Sequence, residues 1–330
     1  MSDVIALATE LLSLESTTGR ERDAVDFVAR WLVARGWNVT LQEVEPGRSN
    51  VWATRQGGGV TLSTHLDTVP PYVPPRLDGD RLYGRGSSDA KGIAAAMMLA
   101  AQQLAEAGEE RVDLLFVVGE EKGSPGARAA NRLAPTSKWI VNGEPTESKL
   151  ASGGKGAQRV IVRVRGREAH SAYAHLGRSA LEPLLDVLPE LRTLSLPVDP
   201  ILGATTYNIG VLRAGTEANI VPGLAEAEIM IRLVGDVAPV KHAFTRWAGD
   251  RVELVWGSHI PAQHFHVIPG FDVEPVAYTS DIPLLDRWGT PLLFGPGSIH
   301  VAHTPIEYVD VAELEASVGA YMHIVRTLLA

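Results

Sequence analysis

Apolar positions along the chain recur with two different periods. The opening run MSDVIALATELLSLES has helical spacing, as do Val25, Val28, Trp31 and Leu32, and Gly36 stops the second run. Short strand-like runs follow at NVTLQEV, NVWATR and VTLSTHL, until the proline-rich VPPYVPP breaks the pattern. Residues 91–107 read as a helix ended by Gly108, LLFVV as a buried strand, residues 127–133 as a short helix and KWIVN as another strand. Strands alternating with helices predict an α/β layer with a mainly parallel sheet flanked by helices.

The texture changes after SGGKG. RVIVRVRG alternates apolar and basic residues, as a half-exposed strand does. A helix over residues 179–194, strands at ATTYNIGVL and LAEAEIMIRLV, a helix over 240–247 and the strand RVELVW complete the order β-α-β-β-α-β, the ferredoxin-like split unit. From about Pro269 the first texture returns, with a helix over 280–288, the strand TPLLF and a closing helix from Asp310. These patterns predict one domain inserted into another: residues 1–155 and 267–330 form the outer domain and residues 156–266 an α+β insert.

Composition narrows the chemistry. The chain has 330 residues, 45% hydrophobic and 21% charged, so it can bury a sizeable core. A formal net charge of −9 with no basic block argues against a nucleic-acid surface. No cysteine is present, which excludes disulfides, thiol nucleophiles and cysteine metal sites. Any transition metal must be held by His, Asp and Glu. Asp3 and Glu10 spoil a secretory leader and the apolar stretch over 92–105 is too short to span a bilayer, so no membrane association and a cytoplasmic location are expected.

Several short motifs carry titratable groups. In STHLDTVP, His65 and Asp67 are two apart on a strand and share a face, so the carboxylate is placed to accept the second N–H of the imidazole. In YGRGSSDAKG, Asp89 stands just before a helix, as a cap or as a carboxylate bridging two metals. GEEKGSPG places Glu120 and Glu121 side by side where a buried strand ends; WIVNGEP delivers Glu144 and HVAHTPIEYV delivers His303. Taken singly, each has a structural alternative: a surface strand end, a helix cap, a satisfied histidine. Together they fall at strand ends or the loops after them, where ligands gather in open α/β sheets.

The ordered set HLDTVP, GRGSSDAKG, GEEKGSPGA, NGEP, GREAHSA, NIVPG and AHTPIEYV resembles the co-catalytic di-zinc amidohydrolase and peptidase family. That family includes acetylornithine deacetylase, succinyl-diaminopimelate desuccinylase, LysW-lysine hydrolase, aminoacylase and glutamate carboxypeptidase, and the likeness runs from the first helix to the last. It implies two divalent metal ions, zinc with cobalt or manganese as the other choices. His65, Asp89 and Glu144 would hold the first, and Asp89, Glu121 and His303 the second, with a cis peptide after Asp89. It also implies Glu120, Asp67 and His170 as catalytic residues. Glu120 would take the proton from a metal-bridging hydroxide's parent water and return it to the leaving amine. His170, which fills the pattern G-x-x-x-H-S better than His175 does, would stabilise the oxyanion from the inserted lid domain. Arg232, Asn208 and Asn219 match positions that bind substrate, Arg232 as a fork for a carboxylate.

Relatives with Glu at position 144 tend to be deacylases, so the resemblance implies hydrolysis of an N-acyl amino acid of the acetylornithine or succinyl-diaminopimelate type. The alternatives are a metallo-exopeptidase acting on dipeptides or C-terminal residues, and a non-catalytic metal-binding homologue. A homodimer formed through the lid is expected from the same likeness. The remaining histidines, at 242, 259, 264, 266, 300 and 323, read as structural.

Overall fold

The strands Val60–His65 and Val112–Val117 are buried at every residue, as strands covered on both faces must be. In the computed structural model, which describes residues 2–330, they form the centre of a six-stranded sheet. The strand order is Asn38–Glu45, Arg48–Thr54, Val112–Val117, Val60–His65, Trp139–Asn142 and Thr290–Leu293. The last four run parallel, and the two hairpin strands at the other edge are antiparallel. The sheet is thus mainly parallel and flanked by helices. Successive side chains of Val112–Val117 go to opposite faces: Leu114 and Phe116 join a large core with the helices Asp3–Leu12, Lys91–Glu106 and Val311–Leu329, whereas Leu115 and Val117 pack with Ala127, Ala130 and Trp288.

The described residues divide into two compact units. One holds the chain up to Ser152, Phe265–Glu274 and Ser280–Ala330; the other holds Gly153–His264 and the short run Pro275–Thr279. The sequence pattern changes at 155/156 and 266/267, and it does not separate Pro275–Thr279 from the outer unit. Within the second unit the sheet order is Thr206–Ala214, Leu224–Leu233, Gly156–Arg165, Glu253–Ile260, antiparallel throughout. One face buries Val160, Val162, Ala227, Ile229 and Ile231 against Leu184, Val240 and Phe244 of the helices Leu181–Val187 and Val237–Ala248.

Two expected helices differ. The helix expected over 179–194 stops at Val187 and continues as a 3-10 stretch, Leu188–Thr193, because Pro189 has no N–H for the next helical bond. The helix expected over 280–288 is a single 3-10 turn, Ile282–Leu284. The stretch 280–288 has only nine residues before Gly289, too few to hold a helix unaided, and Leu285 and Trp288 are drawn into the core instead. Among the described residues no helix is long and apolar enough to cross a membrane.

Candidate metal centre

Parallel register brings three chain segments out at one edge. His65 lies opposite Val117, and Ser63 opposite Asn142, so the residues that follow these strands emerge side by side. His65 ends its own strand, Glu120 and Glu121 follow Val117, and Glu144 follows Asn142. This is the carboxyl edge of a parallel sheet, where loops can converge on a ligand.

The adjacent glutamates reach one site because the strand breaks before them. Gly119 has φ 78°, a left-handed conformation that glycine adopts without a Cβ clash, and Glu120–Lys122 form one 3-10 turn. Asp67 holds that turn. Its Oδ1 accepts the Glu120 N–H at 3.0 Å, and its Oδ2 accepts the Glu121 N–H at 3.2 Å and the Thr18 hydroxyl at 2.9 Å. This corrects the expected pairing within HLD. His65 Nδ1 bonds the main-chain oxygen of Asp67 at 2.9 Å, while the carboxylate stands 3.6 Å away, beyond hydrogen-bond reach, because it serves the glutamate turn.

Asp89 lies between two imidazoles. His65 Nε2 is 3.0 Å from its Oδ1 and His303 Nε2 is 3.3 Å from its Oδ2; His303 Nε2 also lies 2.9 Å from Glu121 Oε1. Two ligand groups result, His65/Asp89/Glu144 and Asp89/Glu121/His303, and within each the donor atoms lie within 4.8 Å of one another. Asp89 is common to both, and the Asp89–Ala90 peptide is cis. Imidazole and carboxylate donors suit zinc, cobalt or manganese. Glu144 Oε1 is buried without a hydrogen-bond partner among the described residues, which leaves its lone pairs for a cation. The residues present therefore fit a pair of divalent ions.

The electrostatics of the bare protein agree with that fit. Burial, then the negative charge of Asp89, pushes the Glu144 carboxyl well above the ordinary carboxylate range. Burial, then the charge of Asp281, does the same to Glu120. Burial also opposes ionisation of Asp89, but hydrogen bonds from His303 and His65 outweigh it and hold the group low. Bonds to Asp89 and Glu121 raise His303 to about 10. Buried acids crowded together resist ionisation unless positive charge balances them, as the two imidazoles do for Asp89.

Candidates in the second unit fall into two places. His170 and Asn219 meet at one loop pair, where the Ser171 N–H donates to the Asn219 carbonyl at 2.8 Å. His170 is exposed and its Nδ1 accepts the Ala172 N–H at 3.1 Å, so in the neutral ring Nε2 carries the proton. Asn208 pairs with Met230 and Thr206 with Arg232 across neighbouring strands, so Asn208 and Arg232 share the sheet face that the helices leave open. The guanidinium of Arg232 is half-buried, burial lowers its pKa, and it has no hydrogen-bond or ion-pair partner among the described residues.

Two further acids of the first unit escaped sequence reasoning. Asp281 is 1% exposed and neither carboxylate oxygen has a partner among the described residues; burial holds its pKa at about 6. It lies in the irregular stretch TSDIP, and no period marked it. Glu307 is buried beside Arg85 and accepts backbone N–H groups of the Asp89 loop. The only available signal was its place four residues after His303.

The pattern that defines peptidase family M20/M25/M40 matches residues 61–327. A peptidase M20 domain-containing protein of Schizosaccharomyces pombe is 38% identical over 98% of this chain and 84% of its own length. A protein named probable carboxypeptidase from Aspergillus clavatus is 36% identical over 99% of this chain and 83% of its own. Among solved structures, a tripeptidase from Staphylococcus aureus superposes with a TM-score of 0.83 at 19% identity, covering 99% of this chain and 98% of the other, which is a likeness of fold. With a match over most of its length and relatives at this identity, the chain belongs to the M20/M25/M40 peptidase family and is a metallohydrolase acting on amide bonds.

Proposed function

We propose that this metallohydrolase cleaves the amide joining an acyl group to an amino acid with a free carboxylate, with N-acyl amino acids of the acetylornithine or succinyl-diaminopimelate type as preferred substrates. The observation that carries the reading is the pair of donor groups sharing Asp89, with Glu120 belonging to neither. His65, Asp89 and Glu144 would hold one divalent ion, and Asp89, Glu121 and His303 the other. Ions so held supply Lewis acidity toward the scissile carbonyl and make water more acidic.

Glu120 takes the proton of the attacking water and returns it to the leaving amine. Glu120 is half-buried beside Asp281 and belongs to neither donor group, which leaves its carboxylate free to carry a proton. Asp67 keeps Glu120 in place through the backbone of the turn. His170, with its proton on Nε2, is suited to donate to the oxyanion that forms on the substrate. Arg232 offers an unpaired guanidinium for the substrate carboxylate, with Asn208 on the same face and Asn219 beside His170 as further polar contacts. The edge strand Thr206–Ala214 exposes Ile209 and Leu212, which supports a homodimer formed through the inserted unit.

A second reading, a carboxypeptidase, is favoured by the printed names of relatives such as the Aspergillus clavatus protein. Both substrates present the same amide and the same carboxylate, and differ in whether the acyl part is itself an amino-acid residue with an α-nitrogen. Amine release from N-acetyl and N-succinyl amino acids and from dipeptides, with zinc or cobalt added, separates them. Activity confined to dipeptides and longer peptides overturns the deacylase reading.

A further inference from the structure

Glu307 lies between His303 and the strand Tyr308–Asp310, and is 2% exposed. One oxygen, Oε1, accepts three backbone N–H groups, from Gly86 at 3.0 Å, Ser88 at 3.2 Å and Asp89 at 3.1 Å. The other, Oε2, pairs with Arg85 Nη1 at 2.5 Å. Arg85, equally buried, also donates from Nε to the Pro71 carbonyl at 3.3 Å and from Nη2 to the His303 carbonyl at 3.4 Å. Three converging N–H groups form a backbone nest for an anion, and here the anion is a side chain of the same protein.

The residues tied by these bonds are telling. The Asp89 N–H fixes the root of the one carboxylate that both donor groups share, and the other end of the network reaches the loop that carries His303. We propose that Glu307 is a positioning residue that, with Arg85, locks the Asp89 loop to the His303 loop, so that the two ion positions are set together. The inference rests on the two-ion reading above. Its consequence is specific: loss of Glu307 weakens uptake of both ions, although Glu307 belongs to neither donor group.

The test is cobalt titration of chelator-treated protein, followed by calorimetry and by the visible absorption of the bound ion. Wild-type protein should take up two ions. Glu307→Gln keeps an acceptor for the nest but turns an amide N–H₂ toward Arg85. It should bind each ion about 10–100-fold more weakly, the range for a partner that orients ligands, with altered cobalt absorption. Glu121→Gln is the comparator and should weaken one ion only. Arg85→Lys, which keeps the charge but not the fork, should weaken both by a smaller factor, and it stands in for Glu307→Gln if that variant does not fold. A lower melting temperature with both affinities and the absorption unchanged would make Glu307 merely structural and overturn the proposal. Wild-type protein that binds fewer than two ions overturns the two-ion reading instead.

Discussion

The carboxylate of Asp67 accepts the backbone N–H of Glu120 at 3.0 Å, so the turn that carries the proposed base is held by a residue just past a neighbouring strand. His65 does not depend on that carboxylate, because its Nδ1 bonds the main-chain oxygen of Asp67. The two jobs within HLD are therefore separable. Asp67→Asn should leave ion uptake close to wild type, because the main-chain oxygen survives. Turnover should fall about 10–100-fold, the range for a lost orienting partner. Ion stoichiometry by calorimetry, read beside kcat, checks this; a variant that loses its ions along with its activity contradicts it.

The adjacent glutamates should respond unlike each other. Glu120→Gln removes a proton carrier and should lower kcat by about 10²–10⁴ while both ions still bind. Glu121→Gln removes a donor from the His303 group and should lower the ion count or the affinity of one step. Metal analysis of the two purified variants, alongside turnover, decides the matter. Identical behaviour would refute the division of labour.

Gly119→Ala should disturb the site without removing any charged group. A Cβ there would sit 2.8 Å from Pro125 Cγ and 2.9 Å from Arg48 Nη2, on a backbone at φ 78° that alanine disfavours. The expected cost is about 1–3 kcal/mol of stability, read by urea unfolding, with a drop in kcat as the turn shifts. An unchanged unfolding midpoint would show that the turn yields freely.

Stability of the metal-free protein should fall as pH rises from mildly acidic values. The folded protein binds protons more tightly than the unfolded chain at Asp281, whose pKa rises from 3.8 to about 6 by burial, and at Glu120 and Glu144, which are raised as well. Stability from these groups is therefore complete below their ordinary pKa values and is lost as pH climbs through the raised ones; Asp281 alone accounts for about 3 kcal/mol. Asp89 and Asp67, held low, act oppositely and lose their contribution as pH falls below 3.8. Thermal unfolding in chelator across pH should show a mildly acidic maximum, and Asp281→Asn should flatten the decline between pH 4 and 6. Saturating zinc should oppose the slope, since ion binding displaces the protons of the ligands Glu144 and His303.

Much of this arrangement could be read from the chain, for a physical reason. A buried parallel strand is a run of apolar residues, and its end is where polarity returns, so His65, Glu121 and Glu144 announce themselves at the limits of such runs. The break at Gly119 is legible for the same cause. What stayed hidden depends on contacts distant in sequence. The partner of the Asp67 carboxylate is a backbone N–H 53 residues away, and the partners of Glu307 lie more than 200 residues away. Asp281 looks like a loop residue until the fold encloses it. The helix expected over 280–288 failed because apolar content alone does not reveal that Trp288 is recruited by Trp52, 5.6 Å away across the core.

The insertion after Ser152 also gives the protein a birth order. A chain emerging from the ribosome delivers His65, Asp89, Glu121 and Glu144 first, before any of the inserted unit. The strand Thr290–Leu293, which covers the open flank of Trp139–Asn142, and His303 arrive only after that unit has been made. Domains generally fold as they emerge, so a nascent chain can gather the first donor group early but lacks a ligand of the second until the inserted unit has been made. A fully loaded centre thereby certifies that translation has passed through the inserted unit and beyond His303.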